Sequence, residues 1–243
     1  MGLLTGAFGS AASTKFYDET TTLRIYDVVG DVAKYNPQAG IATDDTTGVP
    51  TSMVVTQTGT NTIVNSVTAG NTLTITTGAT EYNGVNAQVK GEKFIIATGK
   101  PLYFGAKLSI DDATQSDILI GLAETKTDLL KTSTAHGVLA TAVEGVFFTK
   151  IDGVTTINAM TYEAGTLTNS AACGTAIDTA AHIYEIVWDG TSQLSFYFDG
   201  VIVGTFTGTI ANGDLTPSIN VRAGSAQARV CEVSWIRCFQ ARS

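Results

Sequence analysis

The sequence predicts an all-β sandwich, and three observations carry that fold class. Short runs rich in β-branched and aromatic residues recur along the chain, about twelve to fourteen of them, with turn signals every 8 to 12 residues or so. Between His182 and Phe206 three such runs, Ile183 to Trp188, Leu194 to Phe198 and Val201 to Phe206, are joined by short turns and read as an antiparallel meander. Only Thr125 to Lys131 offers a helical turn, too short to be stable alone. No longer repeat recurs.

Residues 1–50 read as an extended N-terminal arm. Gly, Ala, Ser and Thr dominate as far as Thr14, and Tyr35 to Pro50 holds two of the chain's four prolines among several turn formers. The arm lacks the apolar periodicity for its own core. Its scattered apolar residues Phe16, Tyr17, Leu23, Ile25 and Tyr26 are therefore assigned to docking, onto the same subunit or a neighbour.

Residues 51–243 read as a single sandwich domain. Met53 to Gln57, Thr62 to Val67 and Thr72 to Thr76 are Thr-rich strands, since the branched Cβ of Thr fits the pleat while its hydroxyl serves water. An Asn83-Gly84 turn is expected before the alternation of Val85, Ala87 and Val89. Lys93 to Ile110 reads as two strands, KFIIAT and LYFGAKLSI, and the nearly continuous apolar run Ile118 to Ala123 as a central strand covered on both faces. Asp152-Gly153 is a hairpin turn leading from the strand that holds Val146 to Phe148 into Thr155 to Tyr162. Thr166 to Ala181 reads as a connection of low hydrophobicity. In the meander, Leu194, Phe196 and Phe198 share one face, so a one-residue slip would expose the apolar set. Asp199-Gly200 has the residue types of a type I′ turn. Pro217 to Ala223 forms a further strand. Arg229 to Phe239 closes the sheet, with Cys231, Val233, Trp235, Arg237 and Phe239 expected on one face.

Composition excludes several function classes. A net charge of −8 and a pI near 4.6 oppose the basic footprint that nucleic acid demands. Charged residues make up 15% of the chain, below the roughly 25% usual for soluble domains, so Thr, Ser, Asn and Gly must supply the surface. No apolar run approaches the roughly 20 residues of a membrane-spanning helix. The opening MGLLTGAFGSAAST lacks the basic start of a signal peptide, and Gly6 stands where myristoylation expects Ser or Thr. Of the three cysteines, Cys231 and Cys238 lie about 23 Å apart on one strand at roughly 3.3 Å per residue, on opposite faces, and cannot bridge each other. With Cys173 they read as small buried hydrophobes of a protein made in a reducing cytoplasm.

Tyr184, Ile186, Trp188, Asp189 and Gly190, then Leu194, Phe196, Phe198, Asp199 and Gly200, followed by the closing strand Val230 to Phe239, resemble the back-sheet hairpin of concanavalin A-like jelly-roll domains of the lectin, glucanase and laminin-G type. The matching residues cover about a quarter of the chain. The Thr/Gly/Ala texture and polar arm are similar to tailed-phage virion proteins of the capsid cement or decoration type. The resemblance implies a non-enzymatic structural protein made in a bacterial host and placed on the capsid surface of the virion. Its partners there are the major capsid protein and other copies of itself, a homotrimer suiting three-fold positions. The alternative it implies is a carbohydrate-binding lectin-like module, on a tail fibre or secreted.

Catalytic signatures of this fold are not found in the sequence. Glycoside hydrolysis needs two facing carboxylates, and the glucanase branch of the resemblance sets acids at alternate positions of one strand. Here Glu185 is followed by Val187 and by Asp189 in a turn, while Asp44-Asp45 and Asp111-Asp112 are adjacent loop pairs. His136 and His182, the only histidines, have no nucleophile elbow beside them. Calcium, which lectin-type members bind through loop oxygens, would draw on Asp111, Asp112, Asp117 and Asp128, but the EF-hand spacing is missing. The reading therefore assigns no cofactor and no metal. For a glycan platform, Trp188 and Trp235 sit mid-strand and read as core, leaving the loop tyrosines Tyr82 and Tyr162 as the better candidates.

Overall fold

A computed structural model describes residues 32–35, 53–66, 72–90, 94–131, 136–137, 139–140, 142–211 and 213–241. In chain order the strands are β1 (Val32–Tyr35), β2 (Met53–Thr58), β3 (Thr62–Ser66), β4 (Thr72–Thr76), β5 (Gly84–Val89), β6 (Leu102–Ile110), β7 (Ser116–Ala123) and β8 (Gly145–Lys150). The second half adds β9 (Thr156–Glu163), β10 (Thr166–Ala176), β11 (His182–Trp188), β12 (Gln193–Phe198), β13 (Val201–Thr207), β14 (Thr216–Ala223) and β15 (Val230–Ala241). They form two antiparallel sheets, and the described residues include no helix. One sheet runs β13-β12-β11-β6-β15-β4-β3 with β1 also on β15; the other runs β10-β9-β8-β7-β14-β5-β2.

The expected alternation builds the core. Phe104, Ala106 and Leu108 of β6, Tyr184, Ile186 and Trp188 of β11, and Leu194, Phe196 and Phe198 of β12 meet Ile118, Ile120, Val146, Phe148, Ile219 and Val221 of the opposite sheet. Phe148 touches Tyr184 and Phe196 edge-on, with ring centroids 5.5 and 5.1 Å apart. As expected, β7 is covered twice. Its Ile118, Ile120 and Leu122 face the main core, and Leu119 and Ala123 face a smaller cluster with Leu129, Leu130, Val143 and Phe147. The Asp199-Gly200 turn is also as expected, with φ of +49° and +77°.

Several local expectations are corrected. Thr166 to Ala181 is mostly strand: β10 pairs with β9, and two register shifts bend this sheet-edge strand. Its small, polar residues mask the strand signal because an edge strand buries little. KFIIAT is not a regular strand. Phe94 and Ala97 make only single bridges, to Leu215 and Lys100. Thr125 to Lys131 is not a helical turn, since Leu130 bridges to Leu139 and its apolar residues join the smaller cluster. The turn placed at Asn83-Gly84 falls one step earlier. Tyr82 takes φ +67°, and Gly84 opens β5 where a Cβ would lie 2.3 Å from the Val221 carbonyl oxygen.

The closing strand carries the most informative correction. Val233 pairs with Leu108 and Trp235 with Lys107, so Ser234 is an extra residue and the faces exchange there. Cys231 and Val233 enter the core before the bulge, Ile236 and Cys238 after it. Trp235, Arg237 and Phe239 lie on the outer face, with the Arg237 guanidinium 4.6 Å from the centre of the Trp235 ring. Cys231 and Cys238 thus share the core face, contrary to the alternation argument, and none of the three cysteines forms a disulfide.

The segment assigned as an arm contributes β1, whose residues Val32–Tyr35 pair with Ala241 to Cys238 of the same chain. Phe16, Tyr17, Leu23, Ile25 and Tyr26 lie outside the described residues.

Candidate functional site

One end of the seven-stranded sheet gathers the chemistry that the sequence scatters. There Arg222 of β14 pairs with Gly84 of β5 on one side and with Asp117 of β7 on the other, while Ile118 pairs with Lys150 at the end of β8. The chain before β5 is stitched on: Tyr82 N–H donates to Ala223 O (2.9 Å), and the Ala223 N–H donates to Asn83 O (2.8 Å). Arg222 Nη1 donates to the Tyr82 carbonyl at 2.8 Å. Tyr82 is thereby held in a left-handed conformation uncommon for a bulky residue.

Around Tyr82 stand a histidine and three carboxylates. The Tyr82 and His136 rings stack, with centroids 4.6 Å apart at 20°. His136 Nδ1 lies 2.7 Å from Asp117 Oδ2, its Nε2 3.0 Å from Glu81 Oε1 and 3.9 Å from Asp152 Oδ2. Asp117 is 2% exposed, and its other oxygen accepts the Asp152 N–H at 2.8 Å. Burial works against a charged His136, but the hydrogen bonds to Asp117 and Glu81 and the charges of Asp117 and Asp152 outweigh it, raising its pKa above the usual 6.5.

Two cations lie beneath. Burial lowers the Lys150 ammonium to about 8 although Asp117, Asp152 and Asp112 favour its charge. Its Nζ donates to the carbonyls of Thr114 (2.9 Å) and Ser116 (2.5 Å). Arg222 forms an ion pair with Asp128. The outer face of the sheet continues from here as a buried polar row of Asn86, Gln88, Ser218 and Asn220.

The other residues weighed in the sequence serve the scaffold. Tyr162 packs against Phe147 at 5.8 Å in the smaller cluster, so of the two loop tyrosines Tyr82 is the one at the site. Trp188 belongs to the main core and donates from Nε1 to Ala97 O. Asp189 closes its turn by accepting the N–H groups of Thr191, Ser192 and Gln193. Glu185 accepts the Tyr103 hydroxyl at 2.9 Å on the outer face of the other sheet. The four aspartates considered for calcium are dispersed. Asp111 accepts the Val230 N–H, Asp112 caps Thr114 and Gln115, Asp117 holds His136, and Asp128 holds Arg222. Among the described residues no group of three or more His, Cys, Asp or Glu is arranged to hold a metal ion.

Sequence reasoning names Tyr82, Asp117 and His136 separately, places Asp152 only in a hairpin turn, and passes over Glu81. His136 and Glu81 are 55 residues apart in the chain, and they meet because β5, β14, β7 and β8 are neighbours in the sheet.

No family model and no curated protein matches the sequence. Solved structures do match in fold. The Emp47p carbohydrate recognition domain superposes with a TM-score of 0.59 at 8% identity, over 87% of this chain and 98% of that one. A Bacillus licheniformis β-glucanase gives 0.56 at 11% identity, over 88% of this chain and 100% of that one. A protein of unknown function from Shewanella oneidensis MR-1 gives 0.54 at 10%, over 93% and 95%. At such identities the likeness establishes the fold, a concanavalin A-like jelly roll, which lectins and glycoside hydrolases share.

Proposed function

We propose that this chain is a lectin-like carbohydrate-binding module that does not cleave its ligand. The carrying observation is Tyr82, an aromatic ring fixed by two backbone hydrogen bonds in a conformation that favours glycine, set among Glu81, Asp117, Asp152 and His136. An aromatic ring for C–H groups beside the partly exposed carboxylates of Glu81 and Asp152 for hydroxyls is chemistry that holds a sugar. The fold shared with a carbohydrate recognition domain supports the reading. Against catalysis, Asp117 is buried with both oxygens bonded, and Asp117 and Glu81 are both engaged by one imidazole.

The capsid-decoration reading puts recognition in Phe16, Tyr17, Leu23, Ile25 and Tyr26, outside the described residues. The described stretch of that leader is engaged with the chain's own β15. The glycan reading is therefore the better supported of the two.

A glycan array with the full chain tests it. Saturable binding, competed by free sugar and lost in Tyr82→Gly, is expected; glycine suits the backbone there and removes only the ring. Absence of binding on the array, or binding untouched by Tyr82→Gly, overturns it. Incubation with each bound glycan should release no new reducing ends.

A further inference from the structure

Charge is layered at the Tyr82 corner. Five carboxylates, Glu81, Asp112, Asp117, Asp128 and Asp152, meet four cations, His136, Lys150, Arg222 and Arg229. The strong cations lie deep. Arg222 and Arg229 are 3% and 6% exposed and Lys150 1%, whereas Glu81 is 50% and Asp152 22% exposed.

The cations also spend their N–H groups within the protein. Lys150 Nζ donates to Thr114 O, Ser116 O and Ser116 Oγ, and Arg222 to Tyr82 O and Asp128. Arg229 donates to Gln115, Ser225 and Gln227. His136 has both ring nitrogens engaged, by Asp117 and Glu81. These four therefore have little to offer an incoming anion.

Two carboxylates remain outward, and they converge. Glu81 Oε1 and Asp152 Oδ2 lie 3.0 and 3.9 Å from one nitrogen, His136 Nε2, on the ring that stacks on Tyr82. A single imidazolium does not answer both, because its Nδ1 is given to Asp117. The Asp152 charge is the less compensated. Its Oδ2 is beyond hydrogen-bond range of that nitrogen, and its Oδ1 is buried and accepts no hydrogen bond from any described residue. That oxygen lies against Gly224, where an added Cβ would be 1.9 Å away, so the carboxylate is seated where only glycine admits it.

We infer that the glycan taken at this corner carries free amines, with an ammonium group set against Glu81 and Asp152, and that acidic glycans are excluded. The inference rests on the glycan reading and names the ligand class within it. An ammonium brings three N–H donors and a positive charge to carboxylates that lack both. A hydroxyl brings one donor and no charge. A uronate adds a further negative charge to a partly buried acidic corner, where solvent screens repulsion less than in water.

Isothermal titration of the full chain at pH 6 and low salt, with matched oligomers of glucosamine, N-acetylglucosamine and galacturonate, tests the assignment. At that pH amines and carboxylates are both charged, and acetylation removes the charge of the amine. The glucosamine oligomer should bind about tenfold tighter than its acetylated match, with galacturonate weakest, and the preference should shrink as salt is raised. Glu81→Gln with Asp152→Asn should bring the ratio of the first two close to one, and each single variant should give part of that loss. Asp178→Asn with Glu232→Gln removes the same charge from exposed positions elsewhere and should keep the ratio, which separates this corner from the general pull of a chain of charge −8. Equal or tighter binding of the acetylated or acidic oligomer, or a preference that survives Glu81→Gln with Asp152→Asn, overturns the inference and leaves the glycan reading standing. Failure of all three oligomers beside neutral glycans bound on the array does the same, whereas an array blank throughout overturns both.

Discussion

Replacing Phe148 by alanine asks whether the two sheets are held together by the aromatic contacts at their centre. Phe148 projects from β8 into the main core, is 1% exposed, and meets Tyr184 of β11 and Phe196 of β12 edge-on. Truncating a buried Phe to Ala costs about 3–5 kcal/mol in lost transfer energy and residual cavity. Two ring contacts at roughly 0.5–1.5 kcal/mol each place this site in the upper half of that range. For a domain of this length about 4 kcal/mol corresponds to a fall in Tm of roughly 8–16 °C. Thermal unfolding followed by circular dichroism, with urea titration for the free energy, gives the number. Phe147 is the control, because the adjacent residue points to the opposite face and packs beneath the β7–β8 connection. Phe147→Ala should loosen that connection, whereas Phe148→Ala should destabilise the whole sandwich. A cost below about 1 kcal/mol for Phe148→Ala, far under the usual range for a buried ring, would refute face-to-face packing here.

Further outcomes follow from single positions. Gly121→Ala should destabilise strongly in urea titration, because a Cβ would sit 2.4 Å from the Val146 carbonyl oxygen of the neighbouring strand, where only backbone can yield. Asp199→Ala should cost about 1–2 kcal/mol in the same assay, losing the acceptor for the Ile183 N–H and leaving a β-carbon at positive φ. With Cys231 pushed up to about 12 and Cys173 to about 11 by burial, Ellman's reagent should find these two thiols inert until denaturant is added. Lys150→Met should abolish a gain in stability between about pH 8 and 10.5. Over that interval the unfolded wild type binds a proton that the folded one has released.

Much of the body is legible in the sequence because alternation and turn chemistry act locally. The hairpin of β12 and β13 is fixed by Asp199-Gly200 and by the same-face set Leu194, Phe196 and Phe198, and the structure repeats both. What fails is whatever neighbouring strands decide. The bulge at Ser234 has no signature in Val-Cys-Glu-Val-Ser-Trp, yet it exchanges the faces of everything after it. Strand β10 lacks apolar alternation because it is an edge, and Leu129 and Leu130 suggest a helix because their partners, Leu119 and Phe147, lie on other strands. The candidate site is visible only in pieces. Tyr82 stands out as a loop aromatic, but Glu81, Asp117, His136 and Asp152 meet only after β7 pairs with both β8 and β14.

Chemical-shift mapping of the isotope-labelled full chain, titrated with a glycan that it retains, tests the proposed role most directly. The account predicts that shifts concentrate at Glu81, Tyr82, Asp117, His136 and Asp152, with the ring signals of Tyr82 moving most. Saturating shifts confined to a different surface, with this corner silent, would contradict it.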